Sequence, residues 1–378
     1  MKIRHLLFVV LAVVAITVTA RAESRYGSET FFVDALQTEK HYYVYLPPDY
    51  DTNKEKRYPV VTLLHGYNFV RNNPDKTTEI EEEHHWIVQE QVPEICDCLF
   101  TVGGYDELQP CLEKNGVGQP EGVVIAMKAI YPEQKFPLPP MIVVMPDGDS
   151  SFYMNRLDGA PQWPPLDGPD FVAGVRKGGS GQYETYIARD LVKDVDSKFR
   201  TIPERDYRGI GGFSMGGVGS MNLLLGNPDV FRSVTSLSGM YMFTPLLTDA
   251  FSLSYMKGST PDLATVFCED PSKGADCKLN KKYIKRNDPY YRLRNLKRTD
   301  VNVYFDAGDS DFFSSKNDYE SFKVFDKILK EKGIPVMPEQ HIIEGTDLNA
   351  NGIHTGKYWR SRMGVVFAFH ARAFGLSD

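Results

Sequence analysis

Beyond about its first twenty residues the chain has no apolar run long enough to cross a bilayer, so no later segment reads as a transmembrane helix. A basic surplus is also missing: 43 Lys and Arg face 50 Asp and Glu, for a net charge of −7. That balance argues against nucleic acid as a partner. No internal repeat, low-complexity linker or block of like charge marks a second domain. Cysteine is scarce, five in 378 residues, and falls in two groups: Cys96, Cys98 and Cys111, then Cys268 and Cys277. In an exported chain such close spacings favour local disulfides. Cys268–Cys277 is expected first, one of Cys96 or Cys98 with Cys111 second, and one thiol is left over. A metal site built from His84, His85 and these cysteines would have suitable ligand types but no recognised spacing. No metal and no cofactor is expected.

What the chain does have begins with a leader. Lys2 and Arg4 are a positive start, residues 6–20 are apolar, and Ala20-Arg21-Ala22 is a small-residue cleavage pattern. Residues 1–22 therefore read as a signal peptide and 23–378 as one mature domain, periplasmic or secreted. The leader carries three positive charges and no acid, so the net charge of the mature chain moves from −7 to −10.

The organising stretch is Tyr207-Arg208-Gly209-Ile210-Gly211-Gly212-Phe213-Ser214-Met215-Gly216-Gly217. A short buried strand runs into Gly-Phe-Ser-Met-Gly, and a helix of small residues follows to about Leu225. A serine between two such glycines sits on a sharp strand-to-helix turn that exposes its hydroxyl. Gly212 and Gly216 are required because a side chain at either place would strike the strand or the helix. The reading is a nucleophile at Ser214, weighed against a plain glycine-rich turn that only lets the helix pack closely.

Around this turn the chain alternates strand and helix. Residues 31–33 and 41–46 read as two antiparallel edge strands. Residues 58–64 and 141–145 are continuous apolar runs expected of strands buried on both faces. Further strands are expected at 231–237, 301–305 and 336–344, with helices at 182–199, 315–332 and after Gly356. This pattern implies an α/β fold with a mostly parallel sheet flanked by helices. Two long stretches interrupt it, at about 68–138 and 240–296, and both read as insertions around the active site. The first includes a polar helix over 77–91 and serves as a lid or as a structural decoration.

A serine needs a histidine to take its proton and a carboxylate to orient that histidine. In this architecture the three follow in the order Ser, acid, His, each at the carboxyl end of a strand. Of the late histidines, His341 falls in a strand and His370 in a helix, whereas His354 lies in the loop after the last strand and is the expected base. Asp306, Asp309 and Asp311 compete for the acid. Asp311 reaches furthest into its loop, Asp309 is the reserve, and Asp306 reads as a cap on the strand end. His65-Gly66-Tyr67 closes a central strand, so the backbone amides of Tyr67 and Met215 are the candidates for an oxyanion hole.

Taken in order, these motifs resemble the esterase D-type branch of the α/β-hydrolases, which includes S-formylglutathione hydrolases, feruloyl and acetyl-xylan esterases, and mycolyltransferases. The resemblance rests on Leu64-His65-Gly66, Val144-Met145-Pro146-Asp147-Gly148, Tyr183-Glu184-Thr185, Gly211 to Gly217, Asn227 to Phe231 and Leu237-Ser238-Gly239. Asp306 to Asp311 and His354-Thr355-Gly356-Lys357-Tyr358-Trp359 complete it. It implies the α/β-hydrolase fold with loop insertions, Asp311 as acid, His354 as base, the Tyr67 amide in the oxyanion hole, and a structural role for Glu184. Residues 79–119 are a longer insertion than the family leads one to expect, and an exported chain is poorly placed for cytosolic formaldehyde detoxification. The expected function is an exported serine carboxylesterase acting on a small-molecule or polysaccharide-linked ester, feruloyl or acetyl. An acyltransferase using the same acyl-enzyme, and a carbohydrate-binding scaffold without turnover, are the alternatives. The oligomeric state is not legible.

Overall fold

Val60–Leu64 and Ile142–Pro146 carry only buried residues, and such runs need cover on both faces of a sheet. The computed structural model, which describes residues 25–67, 85–161, 181–242, 266–270, 273 and 277–376, puts them at the centre of a nine-stranded sheet. The expected leader and most of the expected 77–91 helix lie outside the described residues. In chain order the strands are β1 (Arg25–Val33), β2 (Thr38–Leu46), β3 (Val60–Leu64), β4 (Ile142–Pro146), β5 (Arg208–Phe213), β6 (Ser233–Leu237), β7 (Asn302–Gly308), β8 (Val336–Met337) and β9 (Ile342–Ile343). They are arranged β1-β2-β4-β3-β5-β6-β7-β8, with β9 also on β7. From β4 onward all neighbours are parallel, while β1 and β2 are antiparallel additions. This is the α/β-hydrolase arrangement expected above.

Two expectations are corrected. Residues 41–46 do not form an edge: β2 lies between β1 and β4, and its tyrosines fill both faces, Tyr42 on one and Tyr45 on the other. Only β1 is an edge. The single strand expected at 336–344 is two short pairings with β7, at Val303–Tyr304 and Ala307–Gly308. Pro338 has no N–H to give a ladder, which interrupts the run between them.

One face of the sheet is covered by α1 (His85–Val88), α2 (Val92–Leu99), α3 (Tyr105–Lys114), α4 (Pro120–Ile130) and the C-terminal helix described below. The stretch that looked irregular thus contains three consecutive helices whose apolar sides join the core. Cys98 and Cys111 bridge α2 to α3, leaving Cys96 free and buried, and Cys268 is bridged to Cys277. The opposite face begins with α5, which opens at Tyr183–Thr185, widens into a π turn over Tyr186–Leu191 and continues as Val192–Lys198. It continues with α6 (Met215–Gly226), α7 (Lys281–Asn287), α8 (Pro289–Asn295) and α9 (Lys316–Glu331). The last helix, α10 (Gly356–Ala373), returns to the first face and packs against α4. Among the described residues no helix is long and apolar enough to cross a membrane.

Candidate active site

The turn from β5 into α6 holds Ser214 at φ 54° and ψ −119°, a left-handed conformation that non-glycine residues rarely adopt. Its glycines are obligatory by contact. A Cβ on Gly216 would lie 2.0 Å from the Leu64 carbonyl oxygen, and one on Gly212 would lie 2.5 Å from that of Gly216. Residue 214 is thereby pushed out of the sheet, with its hydroxyl at the carboxyl ends of the strands.

Ser214 Oγ lies 2.8 Å from His354 Nε2, and His354 Nδ1 lies 2.8 Å from Asp311 Oδ2. His354 comes from the loop before α10, and Asp311 from the loop after β7. Asp311 is fully buried; burial by itself would raise its pKa, but the His354 hydrogen bond and charge, the Ser314 amide and the Ser238 hydroxyl together hold it below the usual carboxylate range. Its Oδ1 accepts from the Phe313 and Ser314 amides, both at 2.9 Å, so the carboxylate cannot swing away from the histidine. The structure therefore brings together the serine, the histidine and the preferred aspartate named from the sequence.

The other two aspartates do different things. Asp309 accepts from the Gly345 amide at 3.0 Å and from the Ser310 hydroxyl at 3.1 Å, pinning one loop to another in solvent. Asp306 does more than cap its strand. It is buried under α10, where it accepts from Arg362 Nε at 2.7 Å and from Tyr358 at 3.0 Å, with Tyr304 as a third donor. This network ties β7 to the helix that carries His354 at its entrance. Trp359, next to Tyr358, stacks on Phe213 at 4.0 Å, meets His354 edge-on at 5.0 Å and donates to Ser238 Oγ at 3.0 Å. The His-x-x-x-Tyr-Trp spacing thus sets the histidine against an aromatic wall whose far side is the strand that leads to Ser214.

At the candidate oxyanion hole, Met215 is the first residue of α6, so its N–H has no partner within the helix. Tyr67 follows a turn fixed by His65: Nδ1 donates to the Gly66 carbonyl at 2.8 Å, and Nε2 accepts the Gly148 amide at 2.9 Å. His65 is fully buried and serves as a strut between the Gly66 and Gly148 turns. The Gly148 loop is clamped in turn by Lys40 on β2, which pairs with Asp149 at 2.6 Å and also with Asp147. Burial would raise the Asp147 carboxyl, but Lys40 outweighs it and holds the group at about 2. Burial opposes the Lys40 charge too, and the two aspartates reverse that, raising its pKa above the ordinary value. Tyr183 of α5 also donates to Asp149. Nothing in the local sequence links Lys40 to residues more than a hundred positions away, so the clamp was not legible there.

The other two late histidines, His341 and His370, pack within the fold. His341 stacks on Phe305 at 3.8 Å and contacts Asp326 at 2.9 Å. His370 is buried between Ser233 Oγ at 2.8 Å and Thr235 Oγ1 at 3.2 Å. Glu184 forms a two-pronged ion pair with Arg292, joining α5 to α8.

Residues 128–370 match the Esterase family, described as "Putative esterase". The chain belongs to this family. Among curated proteins it is similar to Esterase Rv1288 of Mycobacterium tuberculosis (strain ATCC 25618 / H37Rv), 33% identical over 101 residues. That match covers 26% of this chain and spans only 18% of the relative's length. Among solved structures it resembles a ferulic acid esterase at 20% identity and TM-score 0.56, covering 93% of this chain and 99% of the other. It also resembles the fluorophosphonate-binding serine hydrolase FphF of Staphylococcus aureus, at 16% identity and TM-score 0.56, with 92% and 99% covered. S-formylglutathione hydrolase FrmB, also of Staphylococcus aureus, aligns at 18% identity and TM-score 0.53 over 92% of this chain and 99% of the other. At these identities the structural likenesses establish the fold.

Proposed function

We propose that this esterase-family chain is an exported serine carboxylesterase with Ser214 as nucleophile, His354 as general base and Asp311 as the group that orients the base. The observation that carries the reading is the unbroken chain of two 2.8 Å contacts from Ser214 through His354 to a buried, anchored carboxylate. In acylation, Ser214 Oγ attacks the ester carbonyl as His354 Nε2 takes its proton, and the carbonyl electron pair moves onto oxygen. The amides of Tyr67 and Met215 are the donors assigned to that oxygen. The tetrahedral adduct expels the alcohol, which receives the proton from His354. Water then enters on the same histidine, and the acid leaves as Ser214 regains its proton.

The assigned substrate is an ester of a carbohydrate with an aromatic or short acyl group, feruloyl or acetyl. Two features support it. Phe312, beside His354 at 5.3 Å, is 66% exposed, giving an aromatic surface next to the assigned base. A ferulic acid esterase is among the proteins that share this fold over nearly the whole chain. Export is supported by the leader pattern of residues 1–22 and by the two disulfides. The test is hydrolysis of p-nitrophenyl acetate, p-nitrophenyl butyrate and methyl ferulate by the mature protein, beside Ser214→Ala and His354→Ala. Turnover by the parent should fall by about 10⁴-fold or more in each variant. Equal rates in parent and variants would reject the mechanism.

A further inference from the structure

A second concavity lies at the far end of α6 from Ser214. The helix runs twelve residues, from Met215 to Gly226, which separates the two places by about 18 Å at a 1.5 Å rise per residue. The cavity, of about 450 Å³, is walled by the end of α6, by α7 and α8, and by the segment after α8. Five cations face it, Lys285, Arg286, Arg292, Lys297 and Arg298, against one carboxylate, Asp229. Two of the cations are committed: Arg292 to Glu184, and Arg298 to Asp229 and Asp300. The other three, Lys285, Arg286 and Lys297, are exposed and, among the described residues, lie within ion-pair distance of no carboxylate. Tyr291 adds a half-buried aromatic wall, with Lys285 Nζ 5.7 Å from its ring centre.

This concentration of positive charge is set in a chain whose net charge is −7. A concave surface lined by one sign focuses its field and raises the local concentration of counter-ions. Its volume falls within the range of ligand sites, and it opens broadly to solvent. We infer that the cleft between α6, α7 and α8 binds an anionic polysaccharide, its carboxylate or sulfate groups on Lys285, Arg286 and Lys297 and a sugar ring against Tyr291. The anionic character follows from the charges; the choice of a carbohydrate rests on the substrate reading above. A polymer held there keeps its esters near Ser214 at high effective concentration without any new contact at the reaction centre.

The test titrates the mature protein with polygalacturonate oligomers, beside the triple variant Lys285→Glu, Arg286→Glu, Lys297→Glu. Affinity should fall at least about tenfold between roughly 20 and 200 mM salt, because exposed pairs are screened. At low salt it should fall at least about tenfold in the triple variant, while p-nitrophenyl acetate hydrolysis and Tm hold. Heparin oligomers bound more tightly than polygalacturonate would assign sulfate as the preferred group and support the cleft equally. Absence of binding, equal binding by the triple variant, equal binding of neutral xylo-oligosaccharide, or equal binding of single-stranded DNA of the same length would each overturn the proposal. Polygalacturonate binding by a protein that hydrolyses no sugar ester would reject the substrate reading and leave the anion site standing.

Discussion

Three aspartates within six residues have three different jobs, and their surroundings separate them. Asp311 is anchored by two amides and faces His354, whereas Asp309 accepts from a loop amide and a neighbouring hydroxyl in solvent. Replacing Asp311 by Asn keeps the shape but removes the negative charge and favours the wrong tautomer of the histidine. Asp311→Asn should therefore lower kcat by about 10⁴-fold, with the circular dichroism spectrum unchanged. Asp309→Asn should stay within about tenfold of the parent, since it alters only a pin between loops. A larger loss in Asp309→Asn than in Asp311→Asn, measured on one ester, would reverse the assignment.

At the scale of elements, two buried groups bear on how the loops around Ser214 and His354 are held. Lys40 reaches from β2 to Asp147 and Asp149 at the end of β4, so two carboxylates share one cation beside the His65 turn. Lys40→Met would leave both carboxylates unpaired and should cost about 3–5 kcal/mol, read from urea unfolding. The folded pKa of Asp147 lies at about 2, below its ordinary 3.8, so its share of stability is present above pH 3.8 and lost as pH falls through about 2. Glu90, between α1 and α2, is the opposite case. Its carboxyl is fully buried, both oxygens lack a hydrogen-bond partner among the described residues, and a Cβ on Gly356 at the start of α10 would lie 2.8 Å from one of them. Burial raises its pKa well above the ordinary value, and nearby Arg360 only partly offsets this. The folded state thus keeps a proton that the unfolded state loses above about pH 4.5, so Glu90 destabilises increasingly as pH rises. Glu90→Gln should raise Tm at pH 7, with the gain shrinking towards pH 4.5. A gain that does not vary with pH would show that ionisation is not its cause.

For the whole molecule, His370 acts with the reverse sign. It sits where α10 crosses β6, and burial lowers its pKa to about 3. Below pH 6.5 the unfolded chain takes up a proton that the folded chain refuses until about pH 3. Its effect is therefore absent above pH 6.5 and removes about 1.4 kcal/mol of stability per pH unit as pH falls below it. Between about pH 4.5 and 6.5 His370 and Glu90 oppose each other, so neither slope is visible in the parent alone. The stability difference between parent and His370→Gln, followed from pH 7 to 5, should move steadily in favour of the variant as pH falls. A constant difference would place the proton elsewhere.

The alternation of strands and helices, the sharp turn at Ser214, the three candidate aspartates and the loop position of His354 were all legible in the sequence. Each rests on local chemistry: an apolar run long enough for one strand, glycines where a Cβ would strike a carbonyl, a histidine after the last strand. The second layer was not legible. The helices α2 to α4 carry Pro93, Pro110 and Pro120, a residue type that ordinarily interrupts a helical pattern, although Pro93 and Pro120 occupy first-turn positions where no amide is needed. Pairings such as Lys40 with Asp147, Arg362 with Asp306 and Trp359 with Ser238 join residues 56 to 121 positions apart. No periodicity records them, because they exist only once the sheet has brought those positions together. Sequence alone determined which side chains could do chemistry and in what order they come. Tertiary structure decided which aspartate faces the histidine and gathered the cations of the α6–α8 cleft, because burial, distance and field depend on neighbours in space.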